Sequence, residues 1–411
     1  MALKKLNHNK KQQFTKLLAE GSRYFSMGEF EHALSVYKKI YLLTNDPRSL
    51  QIQGVCLYKM GLLDESIFVS EKAHAEFKKL GKRDVATLEN LAEVTGIKGD
   101  LEKNLAYGRA CLHLKDEQAM KAAELPLLET KNNNVSTSKR IFSFSLYGSS
   151  PRYCENAILN IQAAKVLFPS FVCRFYLDDT VPEHVQNRLR EANAEVVKVE
   201  EPFNMLPGTM WRFLALDDSQ VEIVICRDAD SVISVREKDI VEEWLESGYF
   251  AHIIRDFPSH CELILAGLVG LRNGLVSNVG KAMLRFLEKG AVSRYTDQKF
   301  LREFLWPQVK HNALTHDRCF QYGEQLGRKE LAPPVTMAGH IGSNLGAHSM
   351  TIKIEAPDLT QIQFFFVMKG GLKIGPYLSS VKKNKWKLSI PDAYVDLLNA
   401  NQLKIEWAQA D

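Results

Sequence analysis

The sequence lacks the features that mark secreted, membrane-spanning and nucleic-acid-binding proteins. None of its apolar runs approaches the ~20 residues that a transmembrane helix needs. The start, MALKKLNHNKKQQF, is basic and polar and has no apolar segment behind it, which argues against a secretory signal. The formal net charge is only +4 over 411 residues, without a dominant block of like charges, so nucleic acid is not the expected partner.

The 7 cysteines form no recognisable metal or disulfide pattern. They are scattered, odd in number and contain no CxxC pair, which argues against a zinc knuckle and a disulfide framework. A reducing, cytoplasmic location is therefore expected. The hydrophobic content of 45% is that of a globular protein, and the length predicts two or three domains.

The N-terminal region contains a weak internal repeat. AEGSRYFSMGEFEHALSVYKKIY aligns with IQGVCLYKMGLLDESIFVSEKAH so that Gly21 lies over Gly54 and Gly28 over Gly61, an offset of 33 residues in both cases. A third, looser copy places Gly99 in the Gly61 position. The pattern resembles the tetratricopeptide repeat, whose stacked helix pairs form a concave surface that holds peptides or proteins. A helical bundle that only supports the next region is the alternative.

Shifts in composition divide the chain into four parts. We assign residues 1–128 to the helical repeat domain, and the polar, Asn/Ser-rich stretch 129–140 to a linker. Residues 141–345 are predicted to form an α/β domain. Residues 346–411 contain strand-like segments separated by turn residues and are predicted to form a small antiparallel, β-rich region. These segments are TIKIEA, QIQFFFVMKG, KWKLSIP and LKIEWAQ.

Strand-like and helix-like segments alternate in the α/β region. RIFSFSLYG, VCRFYLDD, AEVVKVE and VEIVICRDAD are predicted strands, and ENAILNIQAAKVLF, PEHVQNRLREAN and TMWRFLALDD are predicted helices. This alternation predicts a parallel sheet covered by helices on both faces. Ligands of such sheets bind at the carboxyl ends of the strands.

The strand VEIVICRDAD ends in two carboxylates, Asp228 and Asp230. Like charges so close together raise each other's pKa unless a positive group lies between them. A solvated turn is one interpretation, and a divalent-cation site at the end of a buried strand is the other. Arg212, just ahead of this strand, is expected either to bind phosphate or to hold one of the aspartates, with a surface salt bridge as the alternative.

The Asp-x-Asp sequence at the end of an apolar strand resembles the DxD motif of nucleotide-sugar glycosyltransferases with the A-type fold. SVREKDIVEEWLESG, HIIRDFPSH, LILAGLVGLRNG and YTDQKFLREFLWP follow in the order found in a set of bacterial and viral members, and the similarity spans residues 141–320. It implies a Rossmann-like mixed sheet, Mn²⁺ or Mg²⁺, and a nucleotide-sugar donor, expected to be a UDP-sugar. The metal would neutralise the charge that grows on the departing diphosphate.

The resemblance also assigns residues to the site. Asp228 and Asp230 match the metal motif, and Ala266 stands where members of the family often have glycine, which implies a slightly tighter pocket. The residues implied to contact the donor are Leu146, Tyr147 and Gly148 at the nucleoside edge, Arg212, Asp228, Asp230, the small residues Ala266 and Gly267, and Gln298 of the DQ pair.

Two assignments stay open at this point. The implied third protein ligand of the metal is a histidine, either His316 or His340. An inverting reaction would need a base near the acceptor hydroxyl, and Asp297, Asp256 and His260 are the candidates, whereas a retaining reaction would not need one. For Asp297 the alternative is a carboxylate that stabilises a helix N-terminus.

These residues favour a metal-dependent glycosyltransferase, of the hexosyl- or N-acetylhexosaminyl-transferring type. The helical repeats ahead of the α/β domain suggest a protein or peptide acceptor, such as a surface or flagellar protein, and a cell-surface glycan is the alternative acceptor. A non-catalytic scaffold with a degenerate sugar-nucleotide domain is the rival hypothesis. A nucleotidyltransferase or sugar-nucleotide hydrolase is a third, against which the glycine-poor turn YGSSPRY counts.

Overall fold

The chain folds into two compact units in a computed structural model. The residues that it describes are 7–122, 139–274, 276–288, 290, 292–334, 339–343 and 348–410. The first unit comprises Met1–Ala122, Arg255–Leu263 and Asp317–Tyr322. The second comprises Ala123–Ile254, Ile264–His316 and Gly323–Asp411. Most of the predicted linker lies outside the described residues.

Six helices make up most of the first unit, the helical unit. They are α1 His8–Ser26, α2 Phe30–Thr44, α3 Pro47–Lys59, α4 Leu63–Lys79, α5 Val85–Lys98 and α6 Leu101–Ala122. Local signals set their ends. Asp46 caps α3 by accepting from the Arg48 N–H, and Pro47 opens that helix. Gly99, with φ +88°, ends α5 in the left-handed conformation that glycine adopts without strain.

Small residues allow the helices of the repeat to pack closely. A Cβ atom at Gly54 would overlap the Ser70 hydroxyl on α4, and the Ser66 hydroxyl donates to the Gly54 carbonyl at 2.8 Å. Ala33 and Ala73 are fully buried. The 33-residue repeat therefore corresponds to successive helix pairs that pack through glycine, alanine and serine.

Two loops from the later part of the chain complete the helical unit. Phe320 packs its ring where Gly108 on α6 has no side chain. The buried ammonium of Lys115 lies 3.0 Å from the Glu262 carboxylate and also contacts Glu89. Because a buried charge without a partner is strongly destabilising, these loops are part of the unit's core.

The second unit contains an eight-stranded sheet in the order β3-β2-β1-β4-β6-β5-β7-β8. Its strands are β1 Lys139–Leu146, β2 Val172–Leu177, β3 Glu195–Lys198, β4 Val221–Arg227, β5 Ala251–Arg255, β6 Leu268–Arg272, β7 Ala313–Asp317 and β8 Gln325–Leu326. The associated α-helices are α7 Pro151–Leu167, α8 Glu183–Glu191, α9 Lys238–Ser247, α10 Val279–Glu288, α11 Thr296–Phe300 and α12 Trp306–Val309.

The sheet differs from the all-parallel arrangement that the alternation of elements predicts. β6 runs antiparallel to both β4 and β5, so the sheet is mixed, as the family resemblance implies. The predicted helix over TMWRFLALDD is a 3-10 helix, Gly208–Asp217. Its Arg212 backbone is held against β1, because the Ser145 hydroxyl accepts from the Arg212 N–H and the Ser143 hydroxyl donates to the Arg212 carbonyl.

The C-terminal region forms a five-stranded antiparallel sheet in the order β13-β10-β11-β12-β9. Its elements are β9 His348–Lys353, β10 Gln361–Met368, β11 Lys373–Lys382, β12 Lys385–Ile390, α13 Asp392–Asn399 and β13 Leu403–Gln409. β11 and α13 are not predicted by the sequence. The two sheets of this unit share one hydrophobic core, which includes Phe144 of β1 and Trp386 of β12.

A buried carboxylate joins this small sheet to the α/β layers. Glu155 on α7 is fully buried, and its two oxygens accept from Arg188 at 2.6 and 2.9 Å. The hydroxyls of Tyr377 and Tyr394 also donate to it. The C-terminal sheet is therefore fixed to α7 and α8 by a hydrogen-bonded charge as well as by apolar packing.

The predicted fold class is confirmed in its three parts. The chain has an all-α N-terminal region, a Rossmann-like mixed sheet and a β-rich C-terminal region. None of the helices in the described part of the chain combines the length and hydropathy that crossing a bilayer requires.

Candidate functional site

A pocket lies where β1 and β4 end at the same edge of the sheet. The two strands are parallel neighbours with Phe144 opposite Arg227, so the residues that follow each strand meet there. The pocket is lined by Ser145, Leu146, Tyr147, Tyr153, Thr209, Arg212, Asp228, Ala229 and Asp230. Three segments far apart in the sequence therefore supply one site, at the carboxyl ends of parallel strands where α/β proteins bind ligands.

Buried polar contacts fix the turn that carries the two aspartates. Arg227 is fully buried and contacts Glu237 at 2.6 Å and the Ser231 hydroxyl at 3.2 Å. The side chain of Asn160 on α7 donates to the Ala229 carbonyl and accepts from the Ile233 N–H. These contacts hold the turn from both sides, so the aspartates are presented on a rigid support.

Arg212 connects Asp228 with Asp297. Its side chain is only 3% exposed, and its two terminal nitrogens lie 2.5 Å from Asp228 Oδ1 and 2.9 Å from Asp297 Oδ2. Burial opposes ionisation of Asp228, but the Arg212 guanidinium outweighs it and lowers the pKa of that carboxyl. Burial raises the pKa of Asp297 despite the same arginine. Of the roles expected for Arg212, the structure shows the one in which it holds an aspartate.

Asp230 is held by a different arginine. Arg152, in the first turn of α7, donates to Asp230 Oδ2 from Nε at 3.0 Å and from Nη2 at 2.8 Å. Burial and the neighbouring Asp228 raise the pKa of Asp230, and Arg152 acts in the opposite direction. The pair of carboxylates is thus kept close together by a positive group on each side.

Glycines bring backbone and side chains close to the carboxylates. A Cβ atom at Gly267 would overlap Asp228 Oδ2, so only glycine leaves that carboxylate in place. Gly208 has the same relation to the ring of Tyr147, and Gly148 adopts a φ of +74° in the turn after β1. Ala266 is buried beside Gly267. These close approaches define one wall of the pocket.

The residues present suit a hard divalent cation. Asp228 and Asp230 supply carboxylate oxygens, which Mg²⁺ and Mn²⁺ prefer, and the Asp228 side chain is half exposed. Among the described residues, no group of three or more histidine, cysteine, aspartate or glutamate side chains has the arrangement of a complete metal site. One or two carboxylates, with substrate phosphates and water completing the shell, is the usual way in which proteins bind Mg²⁺.

The two candidate histidines have different surroundings. His316 on β7 is buried, and its ring nitrogens lie 2.8 Å from His252 Nε2 and 3.1 Å from Glu243 Oε2. Burial lowers its pKa, with Glu243 acting in the opposite direction. Binding a metal would require His316 to give up one of these contacts. His340 is partly exposed in a bend of the short described segment 339–343.

The candidate bases are divided between the two units. Asp297 begins α11 in the second unit, and the half-buried Gln298 donates its N–H to the Asp297 carboxylate at 2.9 Å. Asp256 and His260 belong to the helical unit. Asp256 is buried and accepts from Arg318 at 3.2 Å, and the His260 ring accepts from the Asp256 N–H at 3.1 Å. Asp297 shares Arg212 with Asp228.

The sequence does not single out Tyr153, which lines the pocket, or Arg152, which donates to Asp230 at the pocket. Both lie in YGSSPRY, just after β1. The sequence does contain a signal for their position, because Pro151 favours the start of a helix directly after the strand β1. The first turn of a helix that follows a parallel strand lies at the same edge of the sheet as residues after the neighbouring strand.

Comparisons with known proteins find weak structural similarity. No family model and no curated protein matches the chain. An O-GlcNAc transferase mutant from Thermobaculum terrenum matches with a TM-score of 0.26 and 13% identity, over 48% of this chain and 43% of that one, so this chain spans less than half of it. A Pyrobaculum calidifontis mannosyltransferase in complex with GDP-Man and Mn²⁺ has a TM-score of 0.32 and 15% identity, over 57% and 67% of the two chains.

A third structure belongs to another class of enzyme. The 4-diphosphocytidyl-2C-methyl-D-erythritol synthase from Anaerococcus prevotii also has a TM-score of 0.32, with 10% identity over 49% of this chain and 93% of that one. TM-scores this low do not identify a function. The proposed function is therefore supported by the residues of the pocket.

Proposed function

We propose that this chain is a metal-dependent glycosyltransferase that moves a sugar from a nucleotide-sugar donor to an acceptor. The observation that supports it best is that Asp228, Asp230, Arg212 and Tyr147 line one pocket. In this proposal Tyr147 and Leu146 border the nucleoside, and the aspartates hold Mn²⁺ or Mg²⁺. The metal, when bound, would stabilise the negative charge of the leaving diphosphate.

The charges of the pocket support a requirement for the cation. Two arginines, Arg152 and Arg212, are in contact with three carboxylates, those of Asp228, Asp230 and Asp297. With all five groups ionised, this cluster carries one excess negative charge. A nucleoside diphosphate would therefore be repelled unless a divalent cation joined it. A donor that carried no diphosphate would not need such a cation.

Asp297 is the residue that we propose as the base of an inverting reaction. Burial raises its pKa, which is the direction that makes a carboxylate a stronger base. Its contact with Arg212 ties its position to that of Asp228.

We further propose a protein or peptide acceptor held by the helical repeats, and a cytoplasmic location. Large apolar side chains exposed on these helices, such as Phe68 on α4 at 70% exposure, support a contact surface for a protein. The seven cysteines are free and buried, as expected in a reducing compartment. Transfer of labelled sugar into protease-sensitive material would support this acceptor, and transfer into protease-resistant glycan would contradict it.

Incubating the full chain with a panel of nucleotide sugars and Mn²⁺ tests the central proposal. We expect one donor to release nucleoside diphosphate, EDTA to abolish the release, and Asp230→Asn to reduce it about a hundredfold, the usual size for loss of a transition-state contact. Asp239→Asn, on the exposed face of α9, is the matched control. If no donor is cleaved and none raises the melting temperature, the scaffold hypothesis is favoured. Formation of nucleoside triphosphate and sugar 1-phosphate when inorganic pyrophosphate is added to the same panel would instead indicate a nucleotidyltransferase.

A further inference from the structure

The two arginines of the pocket are held in very different ways. Arg212 is buried and joins two carboxylates, so its departure would leave the buried Asp297 carboxylate unpaired. Arg152 is 30% exposed, and among the described residues its ion pair is with Asp230 alone. The Asp230 side chain is only 13% exposed and needs a positive partner, so the guanidinium of Arg152 is able to leave it when another cation takes its place.

Arg152 stands at the edge of the donor pocket. It is the second residue of α7, directly after Pro151, so its backbone is fixed by the start of a 17-residue helix. Its guanidinium carbon lies 5.2 Å from the centre of the Tyr153 ring, and Tyr153 and Asp230 both line the pocket. The flexible part of the side chain is therefore confined to the neighbourhood of the site.

Arg152 and a divalent cation require the same carboxylate. Both hydrogen bonds from Arg152 go to Asp230 Oδ2. In the proposed function Asp230 is a metal ligand, and coordination of the metal at either oxygen withdraws electron density from the carboxylate and weakens its hydrogen bonds to the guanidinium. The two cannot be bound to Asp230 at full strength together. An arginine released from this contact would be a free bidentate donor beside the position where a diphosphate must lie.

We propose that Arg152 is a donor-binding residue that holds Asp230 while the pocket is empty and contacts the diphosphate of the nucleotide sugar once Asp230 binds the divalent cation. This inference rests on the proposed function. Arg152 thereby weakens binding of the cation alone and strengthens binding of the nucleotide in its presence. By thermodynamic linkage it makes the two ligands bind cooperatively.

The expected signature is a pair of opposite changes in the variant Arg152→Met. Mn²⁺ alone should bind several-fold more tightly, because its competitor for Asp230 is gone. UDP or GDP, titrated at saturating Mn²⁺, should bind about tenfold more weakly, the effect of losing a charge-assisted hydrogen bond. A merely structural role for Arg152 would weaken both. Arg152→Lys keeps the charge but not the planar fork, so it should give an intermediate loss of nucleotide affinity.

Mn²⁺ binding to the full chain, followed by electron paramagnetic resonance, and nucleotide binding, followed by calorimetry, measure the two effects. Arg190→Met on α8, where the arginine contacts only the Asn187 and Gln186 side chains among those described, is the matched control and should change neither. If Mn²⁺ and nucleotide bind the native chain but Arg152→Met leaves both affinities unchanged or weakens both, this inference is wrong and the metal site stands. If Mn²⁺ does not bind the native chain, the proposed metal dependence fails and the inference fails with it.

Discussion

Replacing Arg212 with methionine should destabilise the protein strongly. The substitution keeps the length of the side chain but removes the charge shared by Asp228 and Asp297. The Arg212 and Asp297 side chains are only 3% and 7% exposed, so Asp297 would be left as a buried charge without its partner. Breaking such a pair costs about 3–5 kcal/mol of unfolding free energy. The half-exposed Asp228 adds about 1 kcal/mol at most.

A second substitution distinguishes loss of charge from loss of packing. In the double variant Arg212→Met/Asp297→Asn the buried carboxylate is neutral, so at least about half of the lost stability should return, a coupling of the size found for contacting residues. If the destabilisation came from lost packing alone, the effects of the two substitutions on the free energy of unfolding would be additive.

The dependence on pH has a defined sign. Without Arg212 the folded-state pKa of Asp297 rises further above its unfolded value, so the folded variant binds protons more tightly than the unfolded chain does. Its deficit in stability is therefore greatest near neutral pH and shrinks as the pH falls toward the carboxyl range.

Urea unfolding followed by tryptophan fluorescence, at about pH 7 and about pH 5, measures these differences. Arg190→Met, which removes an exposed arginine from α8, provides the control. An Arg212→Met protein within about 1 kcal/mol of the native chain at neutral pH, the size of a surface pair, would refute the reasoning. Failure of Asp297→Asn to restore stability would do the same.

Two further substitutions test other parts of the second unit. Gly267→Ala should displace the Asp228 carboxylate, because the new methyl group would overlap Oδ2. We expect the affinity for Mn²⁺ to fall about tenfold, with little change in the urea midpoint of unfolding. Gly290→Ala, whose nearest contact is 3.9 Å away, is the control and should change neither quantity. Glu155→Gln removes the buried negative charge that pairs with Arg188 and should lower the free energy of unfolding in urea by about 3–5 kcal/mol. Glu222→Gln, in the partly exposed pair of Arg140 and Glu222, should lower it by less than about 1 kcal/mol. Equal losses of unfolding free energy in the two variants would contradict the role of burial.

The position of the site could be predicted from the sequence because the strand before it is apolar and ends abruptly. VEIVICR is buried almost throughout β4, and the carboxylates follow at the edge where ligands bind. Leu146 and Tyr147 at the end of β1, which only the family resemblance implied, line the same pocket. Where a strand ends is local information, so a single sequence carries it.

The role of Arg152 could not be predicted because it depends on the register between strands. The turn YGSSPRY has too little glycine for a phosphate loop, yet its arginine reaches Asp230, 78 residues away in the chain. The direction of β6 is equally non-local. LVGLR is buried along nearly its whole length, and a strand buried on both faces has the same pattern in either direction.

β11 was missed because it contains Gly375 and Pro376, which ordinarily argue against a strand in the middle of a sheet. The structure accommodates them in an irregularity. The register of β10 against β11 shifts between Phe364 and Phe366, opposite these two residues. A bulge of this kind lets proline sit where the ladder is interrupted.

The threading of three separate stretches of chain into the helical unit limits how the protein can be divided. A fragment ending near residue 128 would lack Phe320, whose ring packs against Gly108. It would also lack Glu262, so the ammonium of Lys115 would lose this ion-pair partner. We therefore expect the repeats to depend for their integrity on synthesis of the chain to at least Tyr322. Swapping these repeats for those of another protein by joining at residues 129–140 would separate them from their own core, so the surface of the helical unit is more readily changed by substituting exposed residues than by exchanging the region.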